Sequence, residues 1–127
     1  RETLGQLPVD ISVGHLGYMK TSAGIDHPGF QDFLNLLRDG HCWVKLTGTY
    51  RITTLDQTPY LDVTPIAQAL IDANPDRLIW GTDWPHVATY GHMPNDADLL
   101  DHMLVWTSDA ALQQKIFVDN AVELFGF

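Results

Sequence analysis

The sequence is poor in cysteine. Its 127 residues include one, Cys42, which excludes an internal disulfide and has no CxxC partner for a structural zinc site. Cys42 lies in the apolar segment HCWVKL, where we expect it to be a small buried hydrophobe. A reducing, cytoplasmic setting fits a chain with a single thiol best.

Basic residues are also scarce. The chain has 7 Lys and Arg against 16 Asp and Glu, a formal net charge of −9. Because nucleic acids and anionic membranes are bound by clustered basic residues, neither is an expected partner. No run of about 18 apolar residues is present, so we predict no membrane-spanning helix.

The amino terminus lacks a secretion-signal pattern, because RETLGQLPVDISVG has no basic stretch followed by an apolar one. It begins without Met, in a segment (residues 1–7) typical of a helix end and loop, and we expect a processed chain or a fragment. The hydrophobic content of 45% and aromatic content of 10% nevertheless predict a folded domain.

Three apolar segments predict buried strands, at residues 9–13, 42–46 and 77–83. Apolar residues at helical spacing follow each strand and predict helices over about 28–38, 61–73, 97–106 and 109–118, with a terminal turn, NAVELFGF, after them. The order strand–helix–strand–helix–strand–helix predicts an α/β architecture with parallel strands and right-handed crossovers.

The loops that follow the strands are long and rich in His, Tyr, Arg and Asp, whereas the turns that precede the strands are short. In α/β folds, ligands bind at the carboxyl ends of the strands. We therefore predict a functional face at that end. There, RLIW runs directly into GTDWPH, and Asp83 and His86 are delivered together at one strand end.

His15 follows the first predicted strand and Tyr50–Arg51 follow the second. Neighbouring strands lie about 4.8 Å apart, so the first and third strand ends are about 10 Å apart, and inward-pointing side chains shorten that gap. We predict that His15 and Asp83 flank one small electrophile.

Each candidate has a structural alternative. Asp83 is an Asp near a proline and could cap a turn; His15 could be a hydrogen-bonded loop residue, Arg51 a solvated cation, and His86 a capping or packing side chain. The remaining histidines fall in turns or on a helix face and are assigned no chemistry: His27, His41, His92 and His102.

The ordered segments VGHLGY, VKLTGTYR, WGTDWPH and FVDNAVELFGF resemble the amidohydrolase-related family of (β/α)8 TIM barrels, in particular its 2-pyrone-4,6-dicarboxylate lactonase branch. The resemblance runs over residues 1–127 and implies a partial domain, namely the C-terminal three βα units (sixth to eighth) of such a barrel. Three βα units leave two unpaired sheet edges and an uncovered interior face, so we expect self-association, or the remainder of a barrel, as the partner.

The resemblance implies a hydrolase that attacks a small carboxylated lactone, or a related ring compound, with water. In that reaction Asp83 is the general base and His15 polarises the carbonyl, or both ligate one divalent metal ion, zinc or manganese; metal-free catalysis is the other possibility. The substrate is bound by Arg51, with Tyr50 and His86 beside it.

Two features depart from the family pattern. The family's Asp before the histidine is Gly14 here, which removes a partner that could orient His15, and the His-x-His pair of the first barrel strand is not in this chain. Lys45 matches a lysine that the family has on the same strand, and two roles stay open for it: a structural one in the barrel interior and one in the site. Two alternatives stay open: a zinc-dependent decarboxylase of the same superfamily, and a non-catalytic fragment that binds a carboxylate ligand.

Overall fold

Three parallel strands form the centre of the protein in a computed structural model that describes residues 4–127. The strands are β1 (Ile11–Val13), β2 (Cys42–Leu46) and β3 (Leu78–Trp80), in the spatial order β1-β2-β3. Ile11 aligns with Cys42 and Leu46 with Trp80. The predicted α/β order and parallel pairing are confirmed, and the carboxyl ends of all three strands lie on the same side of the sheet.

Helix α1 (Pro28–Arg38) connects β1 to β2, and helix α2 (Thr64–Ala73) connects β2 to β3. Pro28 sits at the first helical position, where its fixed φ is compatible with a helix start. The His27 side chain accepts a hydrogen bond from the Gly29 amide and caps the same end. Gly40 follows α1 with a φ of +86°, as predicted for a glycine that ends a helix.

The core lies between the sheet and the helices. Apolar residues recur at helical spacing on α1 and α2 and are buried there, among them Phe30, Leu34, Leu37, Ile66 and Leu70. Cys42, Val44 and Leu46 project from alternate positions of β2 into the same core. Cys42 is fully buried, as predicted, and burial raises the pKa of its thiol to about 11.

The carboxyl-terminal part is more helical than predicted. After α3 (Asp96–Trp106) come α4 (Ala110–Gln114), a π-helical turn (Lys115–Asp119) and α5 (Asn120–Phe125), which follow one another without a break. The prediction of a terminal turn for NAVELFGF is wrong. The Asn120 amide anchors α5 by donating to the Pro75 and Leu78 carbonyls at 2.7 and 2.6 Å.

The strands are shorter than predicted at both edges of the sheet. β1 starts at Ile11 instead of residue 9, because its first ladder hydrogen bond joins the Ile11 amide to His41. β3 starts at Leu78 because Pro75–Arg77 form a 3-10 turn, and it ends at Trp80, where its partner β2 also ends. The predicted helix end at residues 1–3 lies outside the described residues, and Leu4–Gln6 form a 3-10 turn. Within residues 4–127, no helix combines the length and apolarity needed to cross a membrane.

His102 on α3 is a buried polar residue whose titration should affect stability. It is 4% exposed, and its Nε2 accepts a hydrogen bond from the Tyr60 amide at 3.3 Å. Burial lowers the pKa of His102, and the nearby Asp98 and Asp101 offset this only in part. The folded state therefore binds the imidazole proton less readily than the unfolded chain does.

We expect the free energy of unfolding to decrease as the pH falls below about 6.5, the ordinary pKa of histidine, by at most about 1.4 kcal/mol per pH unit from this residue. His102→Gln retains an acceptor for the Tyr60 amide and should flatten that dependence. The measurement is urea unfolding at several pH values. The exposed His92 provides the control: His92→Gln should leave the pH dependence unchanged, and an equal flattening in both variants would contradict the assignment to His102.

Candidate active site at the carboxyl ends of the strands

The structure brings together the residues predicted from three separate strand ends. His15 follows β1, Tyr50 and Arg51 follow β2, and Asp83 follows β3. The His15 Nδ1 atom lies 3.7 Å from Asp83 Oδ2, although the strands that carry the two residues are separated by β2. Both side chains are about one-fifth exposed, so they share a hollow open to solvent.

The Asp83 carboxylate is the centre of the cluster. Its Oδ2 accepts hydrogen bonds from the Tyr50 hydroxyl at 2.6 Å and from Arg51 Nε at 2.8 Å. Asp83 therefore does more than cap a turn, which was the structural alternative. The Arg51 guanidinium also donates from Nη2 to the Val87 carbonyl at 2.9 Å, which ties the loop after β2 to the loop after β3.

These contacts determine the protonation state of Asp83. Burial acts to raise the pKa of its carboxyl, but the hydrogen bonds from Tyr50 and Arg51 outweigh burial and hold the pKa below its usual value. Burial, together with the bond to Asp83, raises the pKa of Tyr50 to about 12. At neutral pH the site therefore contains a carboxylate and a neutral phenol.

His15 is held by a residue that the sequence analysis did not single out. Its Nδ1 lies 3.0 Å from the Thr47 hydroxyl, and its ring meets the Tyr18 ring edge-on, with 4.9 Å between centroids. Burial lowers the pKa of His15, and the Asp83 carboxylate opposes that effect only in part. Thr47 thus gives the imidazole a hydrogen-bonding partner, and His15 is neutral at neutral pH.

His86 reaches the cluster through Tyr50. Its Nδ1 lies 3.2 Å from the Tyr50 hydroxyl and its Nε2 lies 2.9 Å from Asp96 Oδ1. His86 is 5% exposed, and its two hydrogen bonds connect Tyr50 in the interior of the cluster to Asp96 at the amino end of α3. The contact with Asp96, ten residues later, explains why the side chain points inward.

Gly48 lies beneath the cluster and was not recognised from the sequence. It has a φ of +60°, and a Cβ atom at this position would come within 2.6 Å of His15 Nδ1, 3.1 Å of Asp83 Oδ2 and 3.2 Å of the Arg51 side chain. The three functional side chains can converge because this residue has no side chain.

The loops that carry the site have strained backbones. Among the described residues, six non-glycine residues have positive φ angles between 50° and 69°, and all lie in the loops after β1 and β3: His15, Leu16, Tyr18, Asp83, His86 and Ala88. A left-handed conformation costs a residue with a Cβ atom roughly 1–2 kcal/mol. Such strain is typical of functional sites, where it holds a side chain in a required direction.

A cleft of about 590 Å³ opens beside Tyr50 and Arg51. All four tyrosines of the sequence line it, together with Lys20, Arg51 and His92, and Asp56 is the one acidic residue in its lining. In a chain with a net charge of −9, a lining with two cations, Lys20 and Arg51, against one carboxylate favours an anionic ligand.

The other sequence candidates occupy structural or peripheral positions. Lys45 lies on β2, two residues before Thr47, and its charge contributes to the low pKa of His15. The Nδ1 of His41 lies 3.6 Å from Asp10 at the opposite end of the sheet. His27 caps α1 and His102 is buried, whereas His92 lies in the lining of the cleft.

The predicted metal ligands do not form a complete site. His15 and Asp83 supply two ligand atoms, and the nearer Asp83 oxygen already accepts from Arg51, a cation. Residues 4–127 contain no group of three or more His, Cys, Asp or Glu side chains arranged to hold a metal ion. Zinc in proteins takes three or four protein ligands, so a metal ion here needs ligands beyond those that residues 4–127 supply.

Comparison with known proteins identifies related sequences over nearly the whole chain. A family model described as amidohydrolase matches residues 2–127. The 4-sulfomuconolactone hydrolase of Hydrogenophaga intermedia is 42% identical over 127 residues, which are 98% of this chain and 42% of that protein. The 2-pyrone-4,6-dicarboxylate hydrolase of Comamonas testosteroni is 35% identical over 94% of this chain and 42% of its own length.

Solved structures agree with these matches. The crystal structure of a probable 2-pyrone-4,6-dicarboxylic acid hydrolase from Acinetobacter baumannii, with citric acid bound, superposes with a TM-score of 0.81 at 30% identity, covering 99% of this chain and 47% of that one. A more distant amidohydrolase from Burkholderia multivorans has zinc bound; at 21% identity and a TM-score of 0.58 it shows the fold alone. This chain spans less than half the length of these relatives.

Proposed function

This chain belongs to the amidohydrolase family, and from that premise we propose that it forms the C-terminal three βα units, the sixth to the eighth, of a (β/α)8 barrel. It spans 42% of the hydrolase from Hydrogenophaga intermedia, which leaves room for the missing units in a longer protein. The strands β1 and β3 are the edges of the sheet, and the remainder of a barrel is the partner that would pair with them.

We propose that the complete barrel hydrolyses a small carboxylated lactone. The observation that carries this proposal is the meeting of His15, Arg51 and Tyr50 around the Asp83 carboxylate at the carboxyl ends of parallel strands. A base, a carbonyl-polarising group and a carboxylate-binding cation are what this reaction requires. The related hydrolases of lactones and pyrones support the same reaction class.

The proposed reaction is one addition and one elimination. The Asp83 carboxylate takes a proton from water as the water oxygen bonds to the lactone carbonyl carbon. The imidazole of His15, in the tautomer with its proton on Nε2, donates to the carbonyl oxygen. The ring C–O bond then breaks, the leaving oxygen receives the proton from Asp83, and the product is the ring-opened hydroxy acid.

Arg51 is proposed to bind the carboxylate of the substrate. Tyr50 donates its one O–H to Asp83, so its part is to line the cleft beside the substrate, and His86 orients it through the contact between Nδ1 and the phenol oxygen. A guanidinium has five N–H donors, and the contacts with Asp83 and Val87 use its Nε and Nη2 atoms. Further donors on the same plane can pair with an anion in the adjoining cleft. The citric acid bound to the solved relative is also a carboxylate ligand.

No step of this proposal is routed through a metal ion, because His15 and Asp83 alone do not complete a metal site. One zinc or manganese ion in the complete barrel would draw its other ligands from the missing units. Metal analysis of the complete protein, with activity measured before and after chelation, decides between metal-dependent and metal-free hydrolysis. The buried thiol of Cys42 is compatible with the cytoplasm as the proposed location.

Arg51→Gln in the complete protein tests the assignment of substrate binding. We expect the KM for a carboxylated lactone to increase by about 10- to 100-fold, which corresponds to the loss of one charged hydrogen-bonding partner. The methyl ester of the same lactone should be affected much less, because it lacks the anion. Ring opening is followed by ultraviolet absorbance.

Lys20→Gln is the matched control, because Lys20 lines the same cleft but donates to a main-chain carbonyl, that of Arg51. It should raise the KM less than Arg51→Gln does. An Arg51→Gln protein with an unchanged preference for the acid over the ester would overturn this role. Release of carbon dioxide, in place of ring opening, would favour a decarboxylase.

A further inference from the structure

A carboxylate outside the active site is surrounded by threonine donors. Asp62 lies in the 3-10 turn Leu61–Val63, directly before α2. Its carboxylate accepts from the Thr53 hydroxyl at 2.5 Å, the Thr21 hydroxyl at 2.7 Å, the Thr54 amide at 2.8 Å and the Thr54 hydroxyl at 3.1 Å. We call Asp62, Thr21, Thr53 and Thr54 the threonine clasp.

The clasp requires an ionised acceptor. Burial acts to raise the pKa of Asp62, but the hydrogen bonds from Thr53, Thr21 and Thr54 outweigh it, and the pKa is lower than usual. A carboxylate has lone pairs for about four donors, whereas an asparagine side chain replaces one oxygen with a group that donates. Asn at this position offers one acceptor oxygen in place of two, so at least one of the four donors would lose its acceptor.

The threonine clasp joins two of the three loops that carry the site residues. Thr21 lies in the loop after β1, and Thr53 and Thr54 lie in the loop after β2, two and three residues beyond Arg51. Neighbouring contacts join the same loops: the Thr21 amide donates to the Ile52 carbonyl at 3.0 Å, and Lys20 Nζ donates to the Arg51 carbonyl at 2.7 Å. The main chain of Arg51 is thus fixed from its carboxyl-terminal side.

A purely structural explanation of Asp62 is that it stabilises the start of α2. The structure argues against it, because the N-cap of α2 is Val63 and no side chain makes a capping hydrogen bond there. The hydrogen bonds of the Asp62 carboxylate are made to the loops and not to the first turn of the helix. This is the arrangement expected of a residue that orients a functional loop.

We propose that Asp62 is a positioning residue for Arg51: the threonine clasp fixes the loop after β2 so that the Arg51 guanidinium meets Asp83 and the substrate anion in the correct geometry. This inference rests on the proposed function for the identity of the anion, but the position of Arg51 can be measured without activity. A misplacement of about 1 Å at a binding group is enough to cost a large part of its effect.

The test uses the complete barrel, with the Arg51 Nε–H group as a probe. In Asp62→Asn, we expect the exchange of this proton with water, measured by NMR, to become about tenfold faster, because the contact with Asp83 is made less often. Asp72→Asn on the exposed side of α2 is the control for the lost charge and should leave the exchange rate unchanged. An unchanged rate in Asp62→Asn, with shifted Thr53 and Thr54 amide signals, would overturn the proposal.

A milder variant covers the case in which Asp62→Asn does not fold. Thr21→Val removes one donor to Asp62 and keeps the shape of the side chain. It should accelerate the Arg51 Nε–H exchange in the same direction, by a smaller factor. If Thr21→Val leaves that exchange rate at its wild-type value, the clasp does not position Arg51.

Kinetics of the complete barrel give the functional readout. We expect Asp62→Asn to raise the KM for a carboxylated lactone by about tenfold, with a smaller change in kcat, and to add nothing further in an Arg51→Gln background. Equal and independent losses in both backgrounds would indicate a general structural role instead. If the barrel has no lactone activity, the proposed function fails, while the exchange measurement still decides the role of Asp62.

Discussion

Asp83→Asn should lower the kcat of the complete barrel for lactone hydrolysis by about 10³-fold, because asparagine cannot take the proton from water. The carboxylate lies 3.7 Å from His15 and 2.8 Å from Arg51, which places it beside both groups proposed to hold the substrate. The KM should change much less than kcat, since the substrate anion is bound through Arg51. Steady-state kinetics with a carboxylated lactone measure both quantities.

The pH profile adds a second readout for Asp83. Because the hydrogen bonds from Tyr50 and Arg51 keep the pKa of Asp83 low, it stays ionised over a wide range. The acid side of the kcat/KM profile should therefore fall only below about pH 4. Asp56→Asn removes a carboxylate from the neighbouring cleft and should leave kcat near the wild-type value. A kcat for Asp83→Asn close to that of the Asp56→Asn control would eliminate Asp83 as the base.

Gly48→Ala should destabilise the 127-residue chain by about 3 kcal/mol and push apart the side chains of His15, Asp83 and Arg51, which meet over Gly48. About 1–2 kcal/mol comes from the left-handed conformation, and a similar amount comes from overpacking, because the new methyl group would lie 2.6 Å from His15 Nδ1. Urea unfolding measures the stability loss, and the same substitution in the complete barrel should remove most turnover.

Gly126→Ala separates the two contributions. Gly126 has the same left-handed conformation, with a φ of +72° and a ψ of +36°, but a Cβ atom there has no neighbour within 4 Å. It should show the conformational cost alone, with site geometry intact. If Gly48→Ala and Gly126→Ala lose the same stability and Gly48→Ala retains turnover, the close approach of His15, Asp83 and Arg51 over Gly48 is not needed for activity.

The arrangement of elements was predictable from local sequence. The apolar spacing along α1 and α2 and the helix-ending Gly40 and Asn74 mark the boundaries of the βα units. The ends of β1 and β3 were not predictable, because a strand extends only as far as its neighbour offers hydrogen bonds. The helix α5 was missed because the anchoring of Asn120 to Pro75 and Leu78 involves residues more than 40 positions apart.

For the site, the sequence indicated the residues that follow strands, namely His15, Tyr50, Arg51, Asp83 and His86. It did not indicate the residues that support them, because their role depends on contacts across 30 or more positions, as in the hydrogen bond between His15 and Thr47. One local signal was available for Thr47: alternation along β2 places it on the same face as Lys45. No local signal distinguishes Gly48 from other loop glycines, or Asp62 from other helix-start acids.

The tyrosines give the cleft a built-in set of reporters. All four of them, at positions 18, 50, 60 and 90, line that one opening, and their exposures range from 3% at Tyr60 to 96% at Tyr90. Incorporation of fluorotyrosine into the 127-residue chain therefore labels the cleft and no other part of that chain. A ligand that enters would shift these fluorine resonances in order of depth, so that its route from the rim to the Asp83 carboxylate could be followed residue by residue.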